Sequence, residues 1–339
     1  MRTWFITGGA GFIGSAFVRL VLEERPDVHV IDYDALTYAG NPENLNGLDQ
    51  GRHTFVRGDI CDADAVLDAV PDGTEIVVNF AAESHVDRSI LSANEFIRTN
   101  VLGTQVLLDA ARAKGVRRFC QISTDEVMGS LPDESDELFT EESPFKPNSP
   151  YAASKAGAEH LVRAARETFG LDTVITRCGN NYGPRQFPEK FIPLMIANAL
   201  ADQPIPVYGD GKNVRDWIYV DDHCRAILDI IDRGTSGGMY NVGARNERHN
   251  IDVVRSVLAA LGKPESLITY VDDRLGHDRR YAIDPAKVET ELGWRPRETW
   301  ESGLEKTIRW YIDNQEWTER IRSGAYRDYY RKQYGMTIA

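Results

Sequence analysis

Short apolar runs and amphipathic stretches take turns through the first half of the chain. "TWFIT" reads as a strand and "FIGSAFVRLVLEERP" as a helix stopped by Pro26. "HVIDYD" and "HTFVRGDI" are further strands, followed by a short helix in "ADAVLDAV" and a strand in "EIVVNFAA". "ANEFIRTNVLGTQVLLDAARAKG" is a long helix with its stop at Gly115. "RRFCQIS" and "DTVITRC" add strands around a helix that begins near Tyr151. Alternation of this kind predicts an α/β fold: a doubly wound, mostly parallel (Rossmann) sheet. After about residue 179 the pattern loosens. "NNYGPRQFPEKFIP" and "ADQPIPVYGDGKNVRDWIYV" read as loops and short strands over the carboxyl edge of the sheet. Leu304, Ile308, Tyr311 and Ile312 recur at helical spacing in a late packing helix. The expected division is a Rossmann domain of residues 1–178 plus about 214–245. A smaller α/β substrate-binding lobe takes 179–213 plus about 246–339.

Composition narrows the function. The 339 residues are 42% hydrophobic and 27% charged, enough to bury a sizeable core without a membrane span. A net charge of −13 argues against nucleic acid or an anionic membrane as partner. It leaves room for an anionic small molecule held by local Arg and Lys. Cys61, Cys120, Cys178 and Cys224 lie far apart, without metal spacing, and no metal site is expected. Met1 leads straight into a strand without a signal-like segment, so the expected compartment is the cytoplasm.

Chemistry concentrates at three places. "TGGAGFIG" sets Gly8, Gly11 and Gly14 between the first strand and the first helix, where missing side chains let a pyrophosphate approach the helix N-terminus. Asp32, 18 residues beyond Gly14, is placed for ribose hydroxyls and favours NAD over NADP. Asp59 suits either a position near adenine or a helix cap. At the tip of the strand "RRFCQIS" stands "STDEV", two carboxylates side by side: a solvated turn or a site. Downstream, Tyr151 and Lys155 are i and i+4 on one helix face, where an ammonium and a nicotinamide charge would lower the phenol pKa.

"TGGAGFIG", "STDEV" and "YAASK" resemble the extended short-chain dehydrogenase/reductases, and within them the dTDP-glucose 4,6-dehydratase family. The resemblance runs nearly end to end, through "AAESHVDRS", "NNYGPRQFPEKFIP", "PVYGDGKNVRDWIYVDDH" and "DRLGHDRRYAID". It implies an NAD-dependent hydro-lyase acting on dTDP-glucose, commonly a homodimer. Tyr151 would take the C4 hydroxyl proton, Lys155 tune Tyr151 and hold the nicotinamide ribose, and Thr124 bind the C4 oxygen. Glu126 would remove the C5 proton and Asp125 protonate the departing C6 hydroxyl. The order of the two acids follows from the resemblance, since spacing cannot supply it.

By the same resemblance Phe12, Ile13, Asp34, Ala35, Leu36, Thr37, Ile60, Ala81, Ala82, Thr99 and Asn181 would contact NAD. Ser84, Asn180, Lys190, Phe191, Arg215, Asn250, Arg274 and His277 would meet the sugar diphosphate, with Pro206, Val207 and Tyr208 lining the base. Two positions depart from the family pattern: Met128 stands where Tyr is frequent, and Leu275 where Pro is frequent. The alternative activities, a nucleotide-sugar 4-epimerase or a UDP-glucuronate decarboxylase, are disfavoured by the Asp125–Glu126 pair.

Overall fold

A computed structural model describes residues 1–322, so positions 323–339 of the expected second lobe lie outside the described residues. Its strands are β1 (Arg2–Thr7), β2 (Val28–Asp34), β3 (His53–Arg57), β4 (Ile76–Asn79), β5 (Arg118–Thr124) and β6 (Thr173–Cys178). There follow β7 (Asn180–Tyr182), β8 (Ile205–Tyr208), β9 (Val214–Tyr219), β10 (Met239–Val242), β11 (Glu247–His249) and β12 (Ile268–Val271). Seven of them form one parallel sheet in the order β10-β6-β5-β4-β1-β2-β3.

Alternate side chains of β1 show why the sheet is covered on both faces. Trp4 and Ile6 pack with Phe17, Val18 and Val21 of the helix Phe12–Glu24, while Phe5 packs with Leu107, Leu108 and Phe119 on the other face. A strand buried on both sides reads as a continuous apolar run, as "TWFIT" does. The helix expected over 93–115 is present, with a π-helical turn at Ile97–Leu102. Gly115 follows it at φ +66°, the left-handed geometry that a residue without Cβ adopts freely.

Beyond β6 the expectation of loops and short strands holds for β7, β8 and β9 but misses several helices, among them Phe191–Leu200, Val220–Arg233 and Asn250–Leu261. The first is buried almost all round, so it carries no amphipathic stripe to reveal it. Strand β9 pairs with β7 and β11, while Val220–Arg233 packs back on Phe12–Glu24 and β10 joins the large sheet. A second apolar cluster gathers Tyr182, Ile192, Trp217, Val253, Trp300, Leu304, Ile308 and Tyr311. Ile312, expected in that packing face, is 43% exposed: the helix Trp300–Asp313 turns it to solvent. Among the described residues no helix is long and apolar enough to cross a membrane.

Behind β5 and β6 a buried ion pair ties sheet to helix. Arg177 of β6 donates through Nη2 (2.8 Å) and Nε (3.1 Å) to Glu159 of the helix Pro150–Phe169, each side chain only 1% exposed. Ser123 of β5 donates to the same carboxylate at 2.5 Å, and Met128 accepts from Arg177 Nη1 through its sulfur at 3.5 Å. Met128 therefore fills a dry wall with a weak acceptor where a phenol is frequent. Replacing Arg177 by Met strands Glu159 and is expected to cost about 3–5 kcal/mol in denaturant unfolding. Arg177→Met combined with Glu159→Leu should lose much less. Equal losses in the single and double variants contradict this role for the pair.

Candidate active site

The strand β5 is buried along its whole length and stops at Thr124, whose Oγ1 accepts the Glu126 N–H at 3.3 Å and caps a 3-10 turn over Asp125–Met128. The two carboxylates thus occupy the first turn of a helical segment, where the backbone dipoles favour negative charge. Asp125 is buried at 2% exposure, its Oδ2 without a partner among the described residues, whereas Glu126 is half-buried. The solvated-turn reading of "STDEV" is excluded by that burial.

Their environments differ. Burial, and then the charge of Glu126, push the Asp125 carboxyl well above its ordinary range. Burial also raises Glu126, but the positive charges of Arg274, Arg215 and Lys190 pull it back down. The acid at 125 is held protonated more strongly than the one at 126.

Ser149 caps the helix Pro150–Phe169 by accepting the Ala152 N–H at 3.0 Å, and Pro150 sits at its first position. Tyr151 and Lys155 then face β5. The Lys155 ammonium donates to the Ile122 carbonyl at 2.5 Å, and burial lowers its pKa to about 8. This corrects one expectation: burial and the Glu126 charge drive the Tyr151 phenol well above its usual value, and the Thr124 hydroxyl, not Lys155, is the hydrogen-bonding group that opposes them. A phenol so raised is held in its neutral form.

These side chains line one cleft of about 390 Å³ along the carboxyl ends of the strands. Thr124, Asp125, Glu126, Tyr151 and Lys155 stand at one part of it. Gly8, Gly11, Phe12, Ile13, Gly14, Asp34, Ala35, Thr37, Asp59, Ile60, Ala81, Ala82, Thr99 and Asn181 line the rest, with Ser84, Asn180 and Lys190. A Cβ on Gly14 would stand 2.2 Å from the Gly8 carbonyl oxygen, and one on Gly8 2.7 Å from the Ala81 nitrogen. No side chain caps the helix Phe12–Glu24, which leaves its first N–H groups facing the cleft. That cradle fits a dinucleotide pyrophosphate.

Asp32 is not on the cleft wall. Its carboxylate is fully buried beneath the glycine turn, 3.4 Å from His53 Nε2, and a Cβ on Gly9 would meet it at 2.1 Å. The carboxylate that reaches the cleft is Asp34, at the tip of β2, which accepts from the Ala10 and Leu36 N–H groups at 3.0 and 2.8 Å. Burial raises it to about 6. Leu36 takes part only through that backbone contact and does not line the cleft. Asp59 accepts from Arg98 at 2.8 Å and from the Cys61 N–H at 2.9 Å, so it pins a loop as well as lining the wall.

The expected sugar-diphosphate residues split. Lys190 donates to the Ser84 carbonyl at 2.9 Å. Arg215 and Arg274 lie outside the cleft wall, although their charges reach Glu126. Arg215 donates to the Val214 and Asp278 carbonyls at 2.7 and 2.8 Å, and Arg274 pairs with Asp87 at 3.1 Å. Tyr208 donates to the other oxygen of Asp87 at 3.2 Å, with its ring edge-on to His277. His277 meets Asp273 at 2.6 Å. Phe191 stacks on Trp217, Val207 is core, and Pro206 is buried beside it in β8. Asn250 opens its helix with a buried Oδ1 that has no partner among the described residues. None of these seven (Phe191, Pro206, Val207, Tyr208, Arg215, Asn250, His277) lines the cleft, nor does Arg274. Leu275, by contrast, is 79% exposed.

Several wall residues escaped the sequence reading: Glu83, Arg98, Ser123, Cys178, Gln186 and Phe187. Glu83 could have been found, because it falls between Ala82 and Ser84. Cys178 gives no signal, and burial pushes its thiol up to about 12, which leaves it inert.

Comparison with known proteins places the chain in a family. The family model described as GDP-mannose 4,6 dehydratase matches residues 5–307. A dTDP-glucose 4,6-dehydratase of Neisseria meningitidis serogroup B is 52% identical, covering 96% of this chain and 98% of the relative. The dTDP-glucose 4,6-dehydratase 1 of Escherichia coli K12 is 49% identical over 97% and 98%. The solved structure of DesIV, a dTDP-glucose 4,6-dehydratase of Streptomyces venezuelae with NAD bound, superposes with a TM-score of 0.91 at 49% identity, covering 94% of this chain and all of that one. A UDP-glucose 4-epimerase of Thermotoga maritima shares the fold at TM-score 0.85 but only 28% of the sequence, over 93% of this chain and all of that one. At about half identity along almost the full length of both partners, this chain belongs to the dTDP-glucose 4,6-dehydratase family of the extended short-chain dehydrogenase/reductases.

Proposed function

We propose that this chain is an NAD-dependent hydro-lyase that converts dTDP-glucose to dTDP-4-keto-6-deoxyglucose. The observation that carries the reading is the Asp125–Glu126 pair: two adjacent carboxyls in one cleft with Tyr151, both raised by burial but Asp125 the more strongly. A 4-epimerase needs no such pair. Assigning acid and base by environment is how one site runs both kinds of chemistry at neutral pH.

The glycine cradle and Asp34 would hold NAD, which supplies a hydride acceptor at C4 and returns the hydride at C6. The positive charge of the nicotinamide ring would favour the Tyr151 phenolate, which takes the C4 hydroxyl proton, and Thr124 hydrogen-bonds that oxygen. The resulting ketone acidifies C5–H, whose proton passes to Glu126. Asp125 gives its proton to the C6 hydroxyl, which departs as water. Glu126 then returns its proton to C5. Tyr151 has gained the proton that Asp125 lost, so one internal transfer resets the site. Each general acid or base step of this kind is worth about 10²–10⁴-fold.

Lys155 would meet the nicotinamide ribose. Lys190, Arg215 and Arg274 would serve the diphosphate, the two arginines exchanging their present carbonyl and Asp87 contacts for phosphate oxygens. The division into a cofactor part and a sugar-nucleotide lobe, a cytoplasmic location and a homodimer belong to the same reading. The homodimer is supported by Leu91, Ile97 and Leu102, apolar side chains at least half exposed beside the Tyr151 helix.

Glu126→Gln should still oxidise C4, visible as NADH absorbance in single turnover, while water loss falls by at least about 10²-fold. Elimination at the wild-type rate contradicts the base role. The pH profile gives a second check. Arg274 lowers the Glu126 pKa, so removing its charge with Arg274→Gln raises that pKa. Because activity needs Glu126 ionised, the acid limb of kcat should move to higher pH. An unmoved or lowered limb contradicts the arrangement.

A further inference from the structure

Helix Val220–Arg233 carries a histidine with no part in the chemistry above. His223 is fully buried, and burial lowers its pKa to about 3, so the imidazole is neutral. One ring nitrogen, Nδ1, lies 2.9 Å from Asn181 Oδ1, while Nε2 is buried without a partner among the described residues. Asn181 lies on β7 and lines the cleft.

The hydrogen bonds around Asn181 fix every orientation. Its Nδ2 faces the Gly179 carbonyl at 3.1 Å and Cys178 Sγ at 3.4 Å. A carbonyl oxygen only accepts, so the atom facing it must be the amide nitrogen, and the atom facing His223 must be the oxygen. His223 must then carry its single proton on Nδ1. Both N–H groups of the Asn181 amide are thereby committed inside the chain, and one Oδ1 lone pair stays uncommitted. The backbone is held as well: Gln186 Nε2 donates to the Asn181 carbonyl at 2.9 Å, and Tyr311 donates to the Gln186 carbonyl at 2.5 Å.

We propose that His223 is a positioning residue for the cofactor cleft, its Nδ1–H locking the Asn181 amide so that Asn181 presents an acceptor to the N–H groups of bound NAD. The inference rests on the reading above that Asn181 contacts NAD. Without the imidazole N–H, the Asn181 amide is held from the Gly179 side alone, and its oxygen loses the donor that fixes its direction at the cleft wall. A buried imidazole with an idle nitrogen is otherwise a poor core residue, since apolar side chains would fill the same space without an unpaired polar atom.

The test is calorimetric titration of NAD into the full chain freed of bound nucleotide, with thermal unfolding measured in parallel. His223→Leu should raise the NAD dissociation constant by about tenfold, the value of one buried hydrogen bond. His223→Asn, which keeps an N–H at nearly the same distance from the backbone, should restore most of the affinity. Ile227→Val, a core change on the same helix, should lower thermal stability and leave NAD affinity unmoved. Adding His223→Leu to Asn181→Ala should weaken NAD binding no further than Asn181→Ala alone. The proposal is overturned if His223→Leu binds NAD as tightly as the parent, if the Asn variant fails equally, or if the two losses add. Because NAD binding alone is read, a wrong sugar-nucleotide assignment leaves these outcomes unchanged.

Discussion

One stripe on one helix sets the site. Tyr151, Lys155 and Glu159 are successive i, i+4 neighbours on the helix Pro150–Phe169, and the lower two are tied to β5 at adjacent residues. Lys155 reaches the Ile122 carbonyl, Glu159 the Ser123 hydroxyl, and Arg177 of β6 closes the ion pair behind them. The third member, Tyr151, is thereby carried to the end of β5, where Thr124 begins the acid turn. Holding reacting groups in place can supply about 7–11 kcal/mol of a reaction barrier. A slide of one residue between helix and strand would separate the phenol from both carboxyls.

The same burial that fixes this register sets the proton chemistry. In the dry end of the cleft every ionised group is disfavoured: Asp125, Glu126 and Tyr151 are all raised and Lys155 is lowered. Arg215 lowers both carboxyls, and what Glu126 has in addition is the reach of Arg274 and Lys190, contributed from outside the large sheet. Charges from beyond the large sheet therefore help to set the difference between two neighbouring acids.

The sheet, the glycine cradle and the acid turn were legible because each is a local pattern: a period, a spacing, a strand end. Asp32 and Asp34 show where such reading stops. Two residues apart in a strand, they share a face, and only depth distinguishes them. Asp32 pairs in register with Ile6 in the middle of the sheet, whereas Asp34 ends β2 and reaches the cleft. Counting along the chain from Gly14 cannot see that difference. The Tyr151–Lys155 spacing was equally visible, but not that the ammonium would bond to a strand carbonyl. Residues 206–277 gather from short strands and turns far apart in sequence, and ion pairs such as Arg274–Asp87 keep them off the cleft wall, a matter of tertiary packing that no short motif encodes.

The central claim is that oxidation, water loss and reduction share one pocket and one enzyme-held hydride. The direct measurement is turnover of dTDP-glucose deuterated at C4, mixed with unlabelled substrate, followed by mass and NMR analysis of the product. The account predicts deuterium at C6 of the molecules that began labelled, none in their unlabelled neighbours, and no free NADH accumulating. Deuterium lost to solvent, or shared between molecules, contradicts it.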